Sequence, residues 1–305
     1  MPKQIVCTDR DDWLKQRRTR GIGASEAAII LGVAKYKSAF ALYHEKLGLE
    51  AQSPAETEAA EWGLILEGPI AARFERETNR KVYAPPPHSI FIHDKLDWML
   101  ASLDRVTYGT DPVTQAPVAV PLEIKTADAS LRAEWKDDVP LAYMIQVQHQ
   151  MAVMDTPAAS IAALVGGNTF YWADVQRDQE FIDALIEQER EFWQRCLDHN
   201  PPDVDASKST AEALRALYGR DNGQLVPLPV DALDWDSDLI KAKEELEEVQ
   251  KRHDLAKHRI VEAIGNASAG QLSNGVIYTY KSQTRPAGVT KESTFRVLRR
   301  KGGGK

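Results

Sequence analysis

Residues 117–126 carry the pattern that most narrows what this chain can fold into. Within Pro121-Leu122-Glu123-Ile124-Lys125 an extended backbone sends successive side chains to opposite faces. Leu122 and Ile124 then face a core, while Glu123 and Lys125 share the other side. Asp104 lies upstream by a span that fits a β-hairpin with its loop around Gly109 to Pro117. Two carboxylates and a lysine are thereby expected to converge on one point. Carboxylate oxygens suit Mg²⁺, and an adjacent ammonium can orient an attacking water or offset developing charge. These are the needs of a metal-dependent phosphodiesterase.

The 305 residues suffice for one large domain or two. Apolar and charged fractions of 43% and 27% are those of an ordinary globular protein. No apolar run reaches the roughly 18 residues of a membrane span, and Met1 to Asp9 lacks a signal-peptide core. A cytoplasmic protein with no membrane partner is the expectation. Cys7 and Cys196 support neither a disulfide framework nor a cysteine zinc site. The net charge of −7 speaks mildly against a chain coated in nucleic acid. It leaves room for a local basic groove, because phosphate follows the local field. Lys15-Gln16-Arg17-Arg18-Thr19-Arg20 and the segment Arg296 to Lys305 concentrate the cations, although a charge run is most often solvated surface.

Ser25 reads as the N-cap of a short helix ending at Gly32. Ser38 opens a second helix, and residues 55–79 read as a longer one, kinked at Pro69. Strands are expected near 89–92, 97–106 and 117–126, then a helix over 140–154 with Tyr143, Gln146 and Gln150 on one face. Strands near 159–166 and 169–175 and a helix over 178–197 complete a unit placed at 1–205. The extension, 206–305, holds a short helix (208–218), a long helix (234–264), a hairpin (270–283) and a last helix (290–300). From Trp235 to Ala263 the long helix carries a seam at alternating spacings of four and three, apolar except for His253. Packing of that seam within its own chain is the expectation, with a helix of another chain as the alternative.

Taken singly, the site residues have ordinary explanations. Glu-Ile-Lys tripeptides arise by chance, Asp94 and Asp97 compete with Asp104, and Glu67 fits an exposed helical acid. Gln146 and Gln150 fit a solvated helix face, and His88 and His93 lack zinc-site spacing. The region from Arg18 to Ser25 has a sharper signal. Gly21-Ile22-Gly23-Ala24-Ser25 is a glycine-punctuated turn opening a helix, whose free N–H groups and dipole favour an anion. Ser25 can cap that helix or bind phosphate, and an arginine supplies charge-assisted hydrogen bonds.

The order of the segments resembles the YqaJ family of viral recombinases, of phage lambda exonuclease type, within the PD-(D/E)XK nuclease superfamily. The segments are Arg18-Thr19-Arg20-Gly21-Ile22-Gly23-Ala24-Ser25-Glu26, Trp62-Gly63 with Leu66-Glu67, Ala101-Ser102-Leu103-Asp104, Leu122-Glu123-Ile124-Lys125 and Tyr143-Met144-Ile145-Gln146. The likeness spans roughly residues 10 to 202. It implies an α/β (α+β) restriction-endonuclease-like core, a mixed central sheet flanked by helices, ahead of the helical extension with its small hairpin. It further implies that Asp104 and Glu123 bind the catalytic Mg²⁺, for which Mn²⁺ can substitute, and that Glu67 helps hold a second ion. Lys125 would position or activate water, Gln146 would stand in the outer shell, and Arg18, Ser25 and Tyr143 would contact DNA phosphate.

Two features depart from the family pattern. The usual Pro-Asp-Gly is Leu103-Asp104-Arg105 here, and Arg17 competes with Arg18 for the phosphate. Arg18 is preferred because it lies seven residues before Ser25. The resemblance implies a Mg²⁺-dependent deoxyribonuclease of phage or prophage recombination, acting on double-stranded DNA as a 5′→3′ exonuclease. A single-strand annealing protein is the implied partner, and a homo-oligomer is left open. The rival readings are an endonuclease with the same site and a non-catalytic DNA-binding scaffold. Glu67, Asp104, Glu123 and Lys125 together count against the scaffold.

Overall fold

The computed structural model describes residues 2–49, 58–111, 113–218, 224–285 and 293–301. They form two compact units, Met1–Asn222 and Gly223–Lys305. The first opens with β1 (Lys3–Val6), α1 (Arg10–Arg20), β2 (Ile22–Gly23), α2 (Ala24–Ile30), α3 (Ala39–Lys46) and α4 (Glu58–Thr78). Next come β3 (Val82–Tyr83), β4 (Ser89–Ile92), β5 (Met99–Ala101), β6 (Arg105–Thr110) and β7 (Pro117–Ala127). The remainder is α5 (Arg132–Asp137), α6 (Leu141–Met154), β8 (Ala158–Val165), β9 (Thr169–Gln176), α7 (Gln179–Leu197) and α8 (Lys208–Tyr218). Residues 55–57, the expected start of α4, lie outside the described residues.

The central sheet has the order β3-β6-β7-β8-β9. It is mixed, because β7 and β8 run parallel while every other pairing is antiparallel. A parallel neighbour needs a crossover, and α5 and α6 supply it. Strand alternation then divides the core into two layers. Leu122, Ile124 and Ala162 pack against Ile70, Ala71 and Phe74 of α4. On the opposite face Ile161, Ala163 and Val165 pack against Val147 and Met151 of α6. The mixed sheet flanked by helices is the architecture expected from the sequence. A second sheet, β1-β4-β5-β2, lies earlier in the chain. There Ile22 N–H donates to the Trp98 carbonyl at 2.7 Å, and a Cβ on Gly21 would come within 1.8 Å of that oxygen. Glycine is required at 21 because two backbones touch there.

The strand expected over 97–106 is two strands, β5 and β6, and Asp104 stands at the break between them. Residues 208–218, expected in the extension, group with the first unit. Helix α8 belongs to the first unit because Ala213 packs with Phe40 and Ala41 of α3, and Thr210 Oγ1 donates to Ser38 Oγ at 2.8 Å.

Beneath the second sheet, His149 and Glu189 are both fully buried. His149 Nδ1 lies 2.7 Å from Glu189 Oε1, and its Nε2 lies 2.8 Å from the Leu100 carbonyl. Both ring nitrogens face acceptors, which suits the doubly protonated imidazolium. Burial works against the charged ring, but the charge and hydrogen bond of Glu189 outweigh it and raise the His149 pKa. A group with a raised folded pKa stabilises fully below its unfolded value, about 6.5 for histidine, and loses that contribution as pH rises through the folded value. The thermal midpoint is therefore expected to fall as pH rises above about 6.5, with a shallower slope in Glu189→Gln. Thermal melts of both proteins across that range check this; parallel slopes would remove His149 as the cause.

The second unit contains α9 (Ala232–Ile264), β10 (Ala269–Gln271), β11 (Ile277–Arg285) and β12 (Ser293–Lys301). The three strands form an antiparallel sheet in the order β10-β11-β12. The helix expected over 290–300 is thus corrected to a strand from Ser293 onward, and residues 290–292 lie outside the described residues. Phe295 and Val297 alternate at period two, and β11 offers a nine-residue edge for pairing. Within its own unit the α9 seam is left uncovered. Among the described residues of that helix only Ile264 is buried, and it approaches Gly270 in β10.

Candidate active site

Strand β7 presents Glu123 toward α6, and that helix grips it. Glu123 is buried, and its Oε1 accepts from Lys125 Nζ at 2.5 Å and from Gln146 Nε2 at 2.6 Å. Its Oε2 accepts from Gln150 Nε2 at 2.6 Å. Gln146 and Gln150 are one helical turn apart, so they reach the carboxylate side by side. Gln150 is fully buried and its Oε1 has no hydrogen-bond partner. The alternative of a solvated face is therefore excluded for Gln150.

Asp104 is brought to the same point by the hairpin of β6 and β7, where Arg105 pairs with Leu122. Its Oδ2 accepts from the Ile124 N–H at 2.8 Å, which orients the carboxyl across β7. Burial, and next the charge of Glu123, push the Asp104 carboxyl up to about 8, against the opposing pull of Lys125. Lys125 shows the complementary effect. Burial disfavours its ammonium, but Glu123 and Asp104 outweigh that and raise its pKa, so it is a cation at neutral pH. The Tyr143 ring lies 5.3 Å from Lys125 Nζ and backs the cation. Asp94 and Asp97 are exposed in the turn between β4 and β5. Of the three aspartates, Asp104 is the one that meets Glu123.

Glu67 is arranged differently. Its charge reaches Asp104, yet its carboxylate forms an ion pair with Arg105. Among the described residues no three acidic, histidine or cysteine side chains are grouped as a metal site. Arg105, the residue that departs from the family's Asp-Gly, occupies the glutamate. Sequence reasoning read it as a change of turn and missed its charge.

The Arg18–Ser25 region also departs from expectation. Helix α2 begins at Ala24 with Gly23 as its cap, so Ser25 lies inside the first turn. The Gly23 N–H donates to Glu26 Oε2 at 2.8 Å, and Lys46 Nζ sits 2.6 Å from the same oxygen. Burial opposes ionisation of Glu26, but Lys46 and Arg17 outweigh it and lower its pKa. A carboxylate of the chain itself therefore fills the helix end that was expected to take an anion.

The arginine that reaches Ser25 is Arg17, whose Nη2 donates to Oγ at 2.9 Å while its guanidinium lies over the Trp13 ring at 4.5 Å. The Arg18 guanidinium makes no hydrogen bond to another described residue. Arg17, Arg18, Ser25, Tyr36, Lys37 and Lys46 help line a cavity of about 210 Å³. Tyr36 is within electrostatic reach of Lys37 and Lys125, which ties this cavity to the carboxylate site.

A family model described as the YqaJ-like viral recombinase domain matches residues 12–158. The protein YqaJ of Bacillus subtilis (strain 168) is 33% identical over 270 residues, covering 87% of this chain and 81% of its own length. The chain belongs to the YqaJ family. Among solved structures, an alkaline exonuclease from Laribacter hongkongensis (LHK-Exo) superposes with a TM-score of 0.50 at 18% identity, covering 63% of this YqaJ-family chain and 94% of its own. The same enzyme in complex with dAMP superposes equally well, at 19% identity. At these identities the likeness establishes the fold, and the Asp104–Glu123–Lys125 cluster is read from its own geometry. No helix among the described residues is long and apolar enough to cross a membrane.

Proposed function

We propose that this YqaJ-family protein is a Mg²⁺-dependent deoxyribonuclease that hydrolyses duplex DNA from its ends, 5′→3′, in phage-type recombination. The observation that carries the reading is the meeting of Asp104, Glu123 and Lys125 on the α6-facing side of β7, with Gln146 and Gln150 holding the glutamate. The fold shared with an alkaline exonuclease supports it.

The residues fit a divalent ion, because the buried carboxylate of Glu123 crowds the half-buried one of Asp104, and desolvation with that charge pushes Asp104 up to about 8. Asp104 and Glu123 would hold Mg²⁺, or Mn²⁺ in its place, with oxygen ligands. When bound, the ion supplies positive charge at the phosphate oxygens. Glu67 would help hold a second ion if it were released from its ion pair with Arg105. Lys125 is protonated, so it acts as a donor that orients water and offsets charge on the phosphoryl group. Water adds to phosphorus, the bond to the leaving sugar oxygen breaks, and the departing oxygen takes up a proton. Removal of the 5′ strand leaves a 3′ single strand, the substrate of a single-strand annealing protein.

End-labelled linear duplex and covalently closed circular duplex, each with and without Mg²⁺, test the reading. Mg²⁺-dependent release of nucleotides from the linear DNA, with the circle intact, is expected. Cutting of the circle would make the protein an endonuclease, and inertness toward both would leave the scaffold reading.

Arg18 is the guanidinium of the basic cavity with no described hydrogen-bond partner, while Arg17 is held by Ser25 and Trp13. We assign Arg18 to the DNA 5′-phosphate. Arg18→Ala is expected to slow digestion of 5′-phosphorylated ends about tenfold relative to hydroxyl ends, the size of one charge-assisted hydrogen bond. Equal slowing of both substrates would move Arg18 to the backbone beyond the end.

A further inference from the structure

Helix α9 carries an apolar seam that its own unit leaves uncovered. Trp235, Leu239, Leu246 and Val249 are 61%, 70%, 69% and 49% exposed, and a single helix cannot bury such a stripe alone. The helix is 33 residues long, roughly 50 Å at 1.5 Å per residue, enough for four heptads. We propose that it pairs with α9 of a second copy of this chain as an antiparallel two-stranded coiled coil.

Side-chain size is the first argument. At seven-residue intervals the seam has one set of large residues, Leu239, Leu246, His253 and Ile260, and a second set that after Trp235 is small: Ala242, Val249, Ala256 and Ala263. A parallel pair stacks each set on itself, so three layers would set alanine against alanine beside layers of leucine against leucine. Interiors are close-packed, and facing layers fill best when large residues meet small ones. Reversing one helix achieves this in a single register centred on Lys251. Leu239 meets Ala263 of the second copy, Leu246 meets Ala256, Ile260 meets Ala242, and His253 meets Val249.

Charge selects the same orientation. Residues 232–249 carry seven acids and two bases, whereas residues 250–264 carry four bases and two acids. The positions flanking the large set on its N-terminal side read Asp238, Glu245, Arg252 and Arg259. In the antiparallel pair the acidic half of each helix lies along the basic half of the other, and Glu245 comes beside Arg259 of the second copy, a contact that repeats by symmetry. In a parallel pair Arg252 would instead face Lys257 of the second copy.

Disulfide trapping on the full chain tests orientation and register together. Leu246→Cys and Ala256→Cys are made as separate proteins; cysteine packs as a small apolar side chain, and the native Cys7 and Cys196 are buried. Under mild oxidation a covalent dimer is expected from the mixture of the two and from neither alone. Dimer from each protein by itself would establish a parallel pair and overturn the proposal, as would no covalent dimer in any sample. Light scattering on the unsubstituted protein gives an independent check. A mass of at least twice the 34.0 kDa chain is expected, and a monomer would overturn the proposal. Charge reversal in Arg252→Glu/Arg259→Glu is expected to lower trapping in the cysteine mixture at least fivefold; undiminished trapping would overturn the charge argument for orientation.

Discussion

Lys125→Ala is expected to lower duplex cleavage by about a hundredfold or more, the usual cost of losing one electrostatic stabiliser of the transition state. The substitution deletes the cation that touches Glu123 at 2.5 Å and whose charge opposes the rise in the Asp104 pKa. It leaves the architecture intact, because Glu123 keeps its bonds from Gln146 and Gln150. Duplex affinity should therefore change little, while the metal-free thermal midpoint falls because Glu123 and Asp104 lose their cation; cleavage measured well below that midpoint separates a chemical defect from a folding one. Single-turnover cleavage of labelled duplex, beside a binding titration in Ca²⁺, makes the comparison. A variant that keeps more than about a tenth of the rate would remove Lys125 from the reaction.

Asp104→Asn and Glu123→Gln should each abolish cleavage and weaken divalent binding, since such ions are held by anionic oxygens. Asp104→Asn should also have an effect of opposite sign on stability. The Asp104 carboxyl, with a folded pKa of about 8 against an ordinary value of 3.8, destabilises the metal-free fold progressively as pH rises between those values. The asparagine has no such penalty, so the metal-free variant should melt higher than the native protein near pH 8 and lose that advantage near pH 4. Calorimetric titration with Mg²⁺ or Mn²⁺ and thermal melts in chelator measure the two effects. Unchanged ion binding in both variants would place the metal elsewhere. A lower midpoint for Asp104→Asn at pH 8 would show that the carboxyl supports the fold.

The residues meant to meet were largely legible because they lie in elements with short periods. Alternation in β7 placed Glu123 with Lys125 and Leu122 with Ile124, and those faces do point to α6 and to α4. A spacing of four on α6 put Gln146 beside Gln150, and the span back to Asp104 fitted a hairpin. Such patterns follow from the pleat and the helical turn, which act over a few residues and need no knowledge of the rest of the chain.

Tertiary structure decided what depends on approach between distant segments. It turned Glu67 toward Arg105, set Arg17 rather than Arg18 on Ser25, and placed Glu26 at the end of α2 with Lys46 against it. It also buried Gln150, a residue whose sequence position fits a wet face equally well. Helix α8 went to the first unit through Thr210 and Ala213, and residues 293–301 became a strand because β11 offered an edge to pair with. The period of a segment sets which side chains share a face. What that face meets, and hence which charges neutralise one another, is set by burial and by partners dozens of residues away in the chain.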